Sequence, residues 1–193
     1  MMTVASIGYS QDDAALERRV SELEKEIAEL KQSVAPLLAE ARAKSAVAEQ
    51  QALARKRMSA DSQIYSDDEL REIETLYQSA NQEWGSVEAK ENLEKLVSRY
   101  GKANRAGCAM LYLGQMSEGE AQKDYLSRAV AEFSDCFYGD GVQVGAYARY
   151  HLAGYYIHIG SDEKADQLLA EIEASYPNAV DHSGRLLSQI MHQ

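Results

Sequence analysis

Leu16, Val20, Leu23, Ile27, Leu30, Val34 and Leu37 follow one another at alternating steps of four and three. That spacing lays them along one seam of a helix and predicts a coiled coil over residues 12–36. Val20, Ile27 and Val34 take one core position and the four leucines the other, the order that favours two parallel strands. In that register Arg19 faces Glu24 of a second copy and Glu26 faces Lys31. Such exposed pairs contribute roughly tenths of a kcal/mol each, so they select register rather than supply stability. The pattern predicts a homodimer; a trimer, or a helical hairpin folded onto the chain's own body, uses the same seam. Residues 1–11 precede the pattern and are expected to be a flexible N-terminus. Pro36 lacks an amide proton and disfavours helix at Ala35, which predicts a kink or stop there. Residues 37–58 are Ala-rich and keep helix propensity. Arg55, Lys56 and Arg57 end that stretch, either as a basic docking patch or as cations that complement the helix dipole.

Residues 59–66 read as a linker, and Ser66-Asp67-Asp68-Glu69 is a capping box that opens a new domain. Within residues 67–180 three quartets share steps of four, three and five: Ala89, Leu93, Leu96, Gly101; Ala129, Phe133, Cys136, Gly141; and Ala165, Leu169, Ile172, Pro177. The first three residues of each quartet share one helical face, and the Gly or Pro ends the helix. An apolar helix precedes each, carrying Ile73-Leu76-Ala80, Met110-Leu113-Gly114 and Leu152-Ala153-Tyr156. The prediction is an all-α chain: an N-terminal coiled-coil helix, an α-α superhelix of three helical hairpins, and a capping helix over residues 181–193.

Leu152-Ala153, Tyr156, Gly160, Ala165, Leu169 and Pro177 in the third copy, and Leu113-Gly114 with Ala129-x3-Phe133 in the second, resemble the tetratricopeptide repeat. A coiled coil followed by three such repeats also resembles, in layout, the envelope cell-division coordinators linked to the Tol-Pal system of Gram-negative bacteria. The repeat resemblance implies that the first helix of each hairpin lines a groove for a partner peptide or helix. The stripe it assigns is Arg71, Glu74, Gln78 and Gln82 in the first copy, Cys108, Leu111 and Gln115 in the second, and Tyr147, Tyr150 and His158 in the third. Tyrosines suit such a surface because they combine contact area with a polar handle. The Lys and Asn set that grips C-terminal carboxylates in chaperone-binding members is not evident.

Charge divides the chain. Residues 1–58 hold nine basic and nine acidic side chains, so the whole formal charge of −11 belongs to residues 59–193, with eleven basic and twenty-two acidic. An acidic domain of this kind argues against nucleic acid or anionic lipid as partner. No apolar run is long enough to span a bilayer. The opening residues lack a basic leader region, which makes the cytoplasm the default, with the periplasm following if a signal peptide was removed upstream.

The candidate chemistry is sparse. Gly139-Asp140-Gly141-Val142-Gln143-Val144-Gly145 lacks the preceding strand and the Gly-Lys-Ser/Thr that a phosphate loop needs, so it reads as a tight turn between hairpins. His151 and His158 stand seven apart, too far for a chelating pair on one helix, and no metal site or cofactor is expected. Cys136 with His151 supplies the residue types of a thiol nucleophile and its base, but the matching spacing of Cys136, Leu96 and Ile172 favours a buried apolar role. The functional expectation is a non-enzymatic adaptor that dimerises by its coil and binds a protein partner in the repeat groove. The alternatives are a spacer without a groove ligand and a small thiol enzyme using Cys136 and His151.

Overall fold

The computed structural model describes the backbone of residues 10–191; the side chains of residues 10–12 are outside the description. Residues 1–9 and 192–193, and with them most of the expected N-terminal segment and the end of the expected capping helix, lie outside the described residues. The chain is all-α, with eight helices and no strand among the described residues. The first helix, α1, spans Ser10–Ala60 and passes through Pro36 without a break. Pro36 removes one amide donor, and the Leu- and Ala-rich residues on both sides restore enough helix propensity to carry the backbone across. The expected stop at Pro36 is therefore absent. The expected linker is replaced too: α1 runs to Ala60, and a 3₁₀ turn, Asp61–Gln63, leads into the next helix with Asp61 buried.

Two compact units share the chain, residues 1–42 and 43–193. In the first, the seven seam residues of α1 are each between 40% and 64% exposed, so the apolar stripe meets nothing within this unit. Arg19 and Lys25 pair with Glu22 and Glu29 of their own helix.

The second unit begins with the last turns of α1 and continues as α2 (Asp67–Gln82), α3 (Val87–Arg99), α4 (Asn104–Gln115), α5 (Gly119–Glu132), α6 (Val144–His158), α7 (Asp162–Ser175) and the short α8 (Leu187–Ile190). The Ser66 hydroxyl accepts from the Glu69 amide, and the Glu69 carboxylate accepts from the Ser66 amide, so the capping box is present. Each helix from α2 to α7 packs on its successor, and α2, α4 and α6 also touch in series. The main core gathers Leu93, Leu96, Met110, Leu113, Leu126 and Leu152 with the tyrosines of the junctions.

The internal repeat is real in α3 and α7 but displaced by one heptad in the middle copy. The amides of Tyr100, Phe133 and Tyr176 donate to the carbonyls of Leu96, Ala129 and Ile172, closing α3, α5 and α7 in the same way. The amides of Ala103, Cys136 and Ala179 then donate to the carbonyls of Tyr100, Phe133 and Tyr176. Cys136 thus corresponds to Ala103 and Ala179 and lies beyond its helix, not beside Leu96 and Ile172. Because four-and-three spacing recurs every seven residues, the sequence pattern fits equally well one register too late.

Two junctions carry an extra turn. Phe137 bridges Gln143, and Val180 bridges Leu186; Val144 and Leu187 begin the next helices with their amides on the carbonyls of Cys136 and Ala179. Each turn has one glycine at positive φ, Gly141 at 100° and Gly184 at 76°, a backbone conformation costly for other residues. The expected closing helix over residues 181–193 is consequently short, since its first half forms the second turn. Gly145 permits the close packing expected of it, because a Cβ there would lie 2.7 Å from the Ser134 carbonyl oxygen.

Residues 43–60 of α1 fasten these junctions. Ala46 packs with Val180 and Leu186, Gly141 lies against Gln50 and Gln51, and Gly184 lies against Val47. Arg57 donates to Asp61 at 2.7 Å, to Asp135 at 3.0 Å and to the Lys102 carbonyl at 3.0 Å. Arg57 therefore serves the fold, while Arg55 and Lys56 stay exposed. Asp61 also accepts from the backbone amide of Asn104 at 2.8 Å, capping the start of α4.

Candidate functional site

The central position of α4 decides which side chains reach the surface. Flanked by α2, α3, α5 and α6, it buries Cys108 and Leu111 completely. Leu111 and Cys108 therefore do not line a groove, contrary to the stripe expected from the repeat pattern. Arg105, Tyr112 and the expected Gln115 are the half-buried members of α4.

Tyr112 belongs to a row of rings drawn from helices and junctions. Trp84, exposed in the turn after α2, meets Tyr112 edge-on at 5.0 Å, and Tyr77 stacks on Tyr112 at 5.4 Å. Tyr138 in the first extra turn lies 5.4 Å from Tyr112 and 5.0 Å from His182 in the second. His182 meets Tyr147 at 5.2 Å, and Tyr147 stacks on Tyr150 at 6.0 Å and touches His151 at 4.6 Å. Tyr138 is the buried floor, its hydroxyl donating to the Cys108 carbonyl at 3.2 Å. Trp84, Tyr112, His182, Tyr147 and Tyr150 present partly or fully open surfaces.

Polar groups line the row. Glu74 accepts two hydrogen bonds from Arg105, at 2.8 and 3.1 Å, and one from Gln78, while Arg105 sits over the Tyr77 ring at 4.2 Å. Asp140 and the His182 Nδ1 are 2.7 Å apart, joining the two extra turns. Burial pushes Asp140 up, but the His182 contact and the Val142 amide more than offset this and hold it below the usual carboxylate value. Of the expected groove residues, Glu74, Gln78, Tyr147 and Tyr150 adjoin this row, and Gln115 joins it through its 2.9 Å contact with His151. Arg71 is exposed and paired with Asp68, and Gln82 sits exposed at the C-terminal end of α2 beside Ser79 and Ser86. His158 lies beyond the end of the row, lining with Tyr150 and His151 an open cavity of about 490 Å³ that Gln122, Leu169, Ile190 and Met191 complete. Trp84, Tyr138 and His182 escaped the helical reading because they stand in turns, where no 3.6-residue period marks a shared face.

The thiol pair finds no support in geometry. Burial pushes the Cys136 thiol up to about 12, despite Arg57 3.7 Å away, so it is protonated at neutral pH. His151 contacts Gln115 and tyrosines. No group of three or more His, Cys, Asp or Glu able to hold a metal occurs among the described residues, and no described helix is long and apolar enough to cross a membrane.

Burial, reinforced by His182, lowers the His151 pKa from 6.5 to about 4. The unfolded chain takes up this proton near pH 6.5 and the folded chain only near 4, so the stabilisation is complete above 6.5 and declines as pH falls between those values. The decline amounts to about 3 kcal/mol. Urea midpoints near pH 7 and pH 4.5 should therefore differ less in His151→Gln than in the native chain, and an equal pH dependence would contradict the assignment.

Compared with known proteins, the chain matches no family model, no curated protein and no solved structure.

Proposed function

We propose that the protein is a non-enzymatic adaptor: a homodimer held by the seam of α1, each copy presenting its hairpin unit to a peptide or helix of a protein partner. The carrying observation is that the seam from Leu16 to Leu37 stays open along its whole length. A lone helix with an unmet apolar stripe is marginal in water, and a second copy would cover it. The aromatic row supports partner binding, since half-exposed Tyr and Trp recur where proteins dock. Joining two such rows in one dimer would raise avidity through effective concentration without any new contact.

The stacked hairpins, closed alike at Tyr100, Phe133 and Tyr176, support kinship with the tetratricopeptide repeats. The coil-then-repeat order supports the likeness to the Tol-Pal-associated coordinators, whose exported members would place this chain in the periplasm. Recovering partners with the native chain and with Tyr147 and Tyr150 both changed to Ala tests the groove. Loss of a partner specific to the native chain is expected, while unchanged recovery of every partner would leave a spacer.

A further inference from the structure

We propose that the aromatic row receives a basic segment, with a lysine or arginine side chain seated against Tyr147 and Tyr138 beside Asp140, where His182 now lies. The proposal rests on the groove reading above and names the chemistry of its partner.

The chain already shows how such a seat is built. Arg105 lies over Tyr77 while paired with Glu74, Arg149 lies 5.1 Å from the Tyr176 ring while paired with Glu171, and Arg99 lies 5.1 Å from the Tyr100 ring while paired with Glu72. In all three a ring and a carboxylate hold a guanidinium, combining quadrupole attraction with an ion pair. Tyr147, Tyr138 and Asp140 repeat that arrangement of rings and a carboxylate, here around the imidazole of His182 instead of a guanidinium. His182 and Asp140 have side chains 41% and 43% exposed, so a cation arriving from solvent can reach both the carboxylate and the ring. Charge complementarity points the same way, because residues 59–193 carry the entire net charge of −11 and draw basic rather than acidic segments toward the unit.

The test is selection of random dodecapeptides on the full-length protein, followed by fluorescence anisotropy with the recovered peptides as synthetic probes. Lys- and Arg-rich peptides should be enriched. Their affinity should fall about 10-fold or more with Asp140→Asn and with Tyr147→Leu. It should hold with Glu91→Gln and Asp166→Asn, which remove exposed carboxylates of α3 and α7. His182→Ala should tighten binding several-fold by vacating the seat. Neutral or acidic peptides that depend on Tyr147 would overturn the basic partner while leaving the groove in place. Basic peptides indifferent to both Asp140→Asn and Tyr147→Leu would be bound by overall charge alone, and the proposal would fall. Weaker binding by His182→Ala would show that the imidazole is part of the docking surface, not an occupant. Recovery of no peptide would remove the groove and the proposal together. Thermal melts confirm folding, and Asp140→Asn, which preserves side-chain shape, decides the matter if Tyr147→Leu does not fold.

Discussion

The full-length chain carrying Ile27→Asp is expected to sediment as a monomer at concentrations where the native chain is a dimer. Ile27 is the central residue of the seam, flanked by Leu23 and Leu30, and it is 49% exposed in the single chain. A carboxylate there is harmless to a lone helix but would enter an apolar interface twice, once from each copy. Bringing an ion into such a seam without a partner costs several kcal/mol. The lost burial of a β-branched side chain adds about 1.5–3 kcal/mol per copy. Together these should raise the dimer dissociation constant by roughly a thousandfold or more. Ile27→Leu, which keeps the apolar character, should preserve association. A native chain that stays monomeric at tens of micromolar would refute self-assembly through the seam, and unchanged dimerisation of Ile27→Asp would move the interface elsewhere.

Asn104→Leu should be the most damaging of the conservative-volume changes in the hairpin unit. The Asn104 side chain is fully buried; its Nδ2 donates to the Phe137 carbonyl at 2.7 Å and its Oδ1 accepts from the Phe137 amide at 2.8 Å. It therefore pairs with the turn as a strand neighbour would, across thirty-three residues of sequence. Leucine fills the volume but leaves the Phe137 amide buried without a partner and its carbonyl with only the weak Cys108 thiol donor, at about 1–3 kcal/mol for each group so deprived. The expected loss is about 3–5 kcal/mol, a large fraction of the stability of a typical domain. The buried Cys108 thiol lies 3.3 Å from the same Phe137 carbonyl and is pushed well up by burial. Its reaction with a thiol reagent should accelerate in parallel with the fall in urea midpoint. A change below about 1 kcal/mol would show that the turn holds without Asn104.

Regular periods made much of this molecule readable from its residues. The heptad of Leu16 to Leu37 and the capping box at Ser66 needed no tertiary information, and each lies in the expected helix or helix start. The middle repeat did need it. A heptad pattern cannot distinguish Phe133 and Cys136 from Leu126 and Ala129, and only the helix end at Glu132 separates them. Pro36 does not stop the helix, because strong helix formers on both sides outweigh the lost amide. The stripe through Cys108 and Leu111 failed because burial of α4 depends on what surrounds it, which spacing within one helix does not record. The row of rings was half visible: Tyr147 and Tyr150 share a helix, but Tyr138 and His182 come from turns forty-four residues apart in sequence, brought together by packing of the second turn on the first.

The matching turns at Gly141 and Gly184 make the end of the stack extensible. Val144 and Leu187 start their helices from the same hydrogen bond to the preceding junction, forty-three residues apart. A duplicate of residues 144–186 placed directly after Leu186 would meet the backbone geometry its original meets and deliver Leu187 again at the far side. Such a graft would lengthen the array by one hairpin while leaving the existing junctions as they are. The length of the stack could therefore be changed by gene duplication alone.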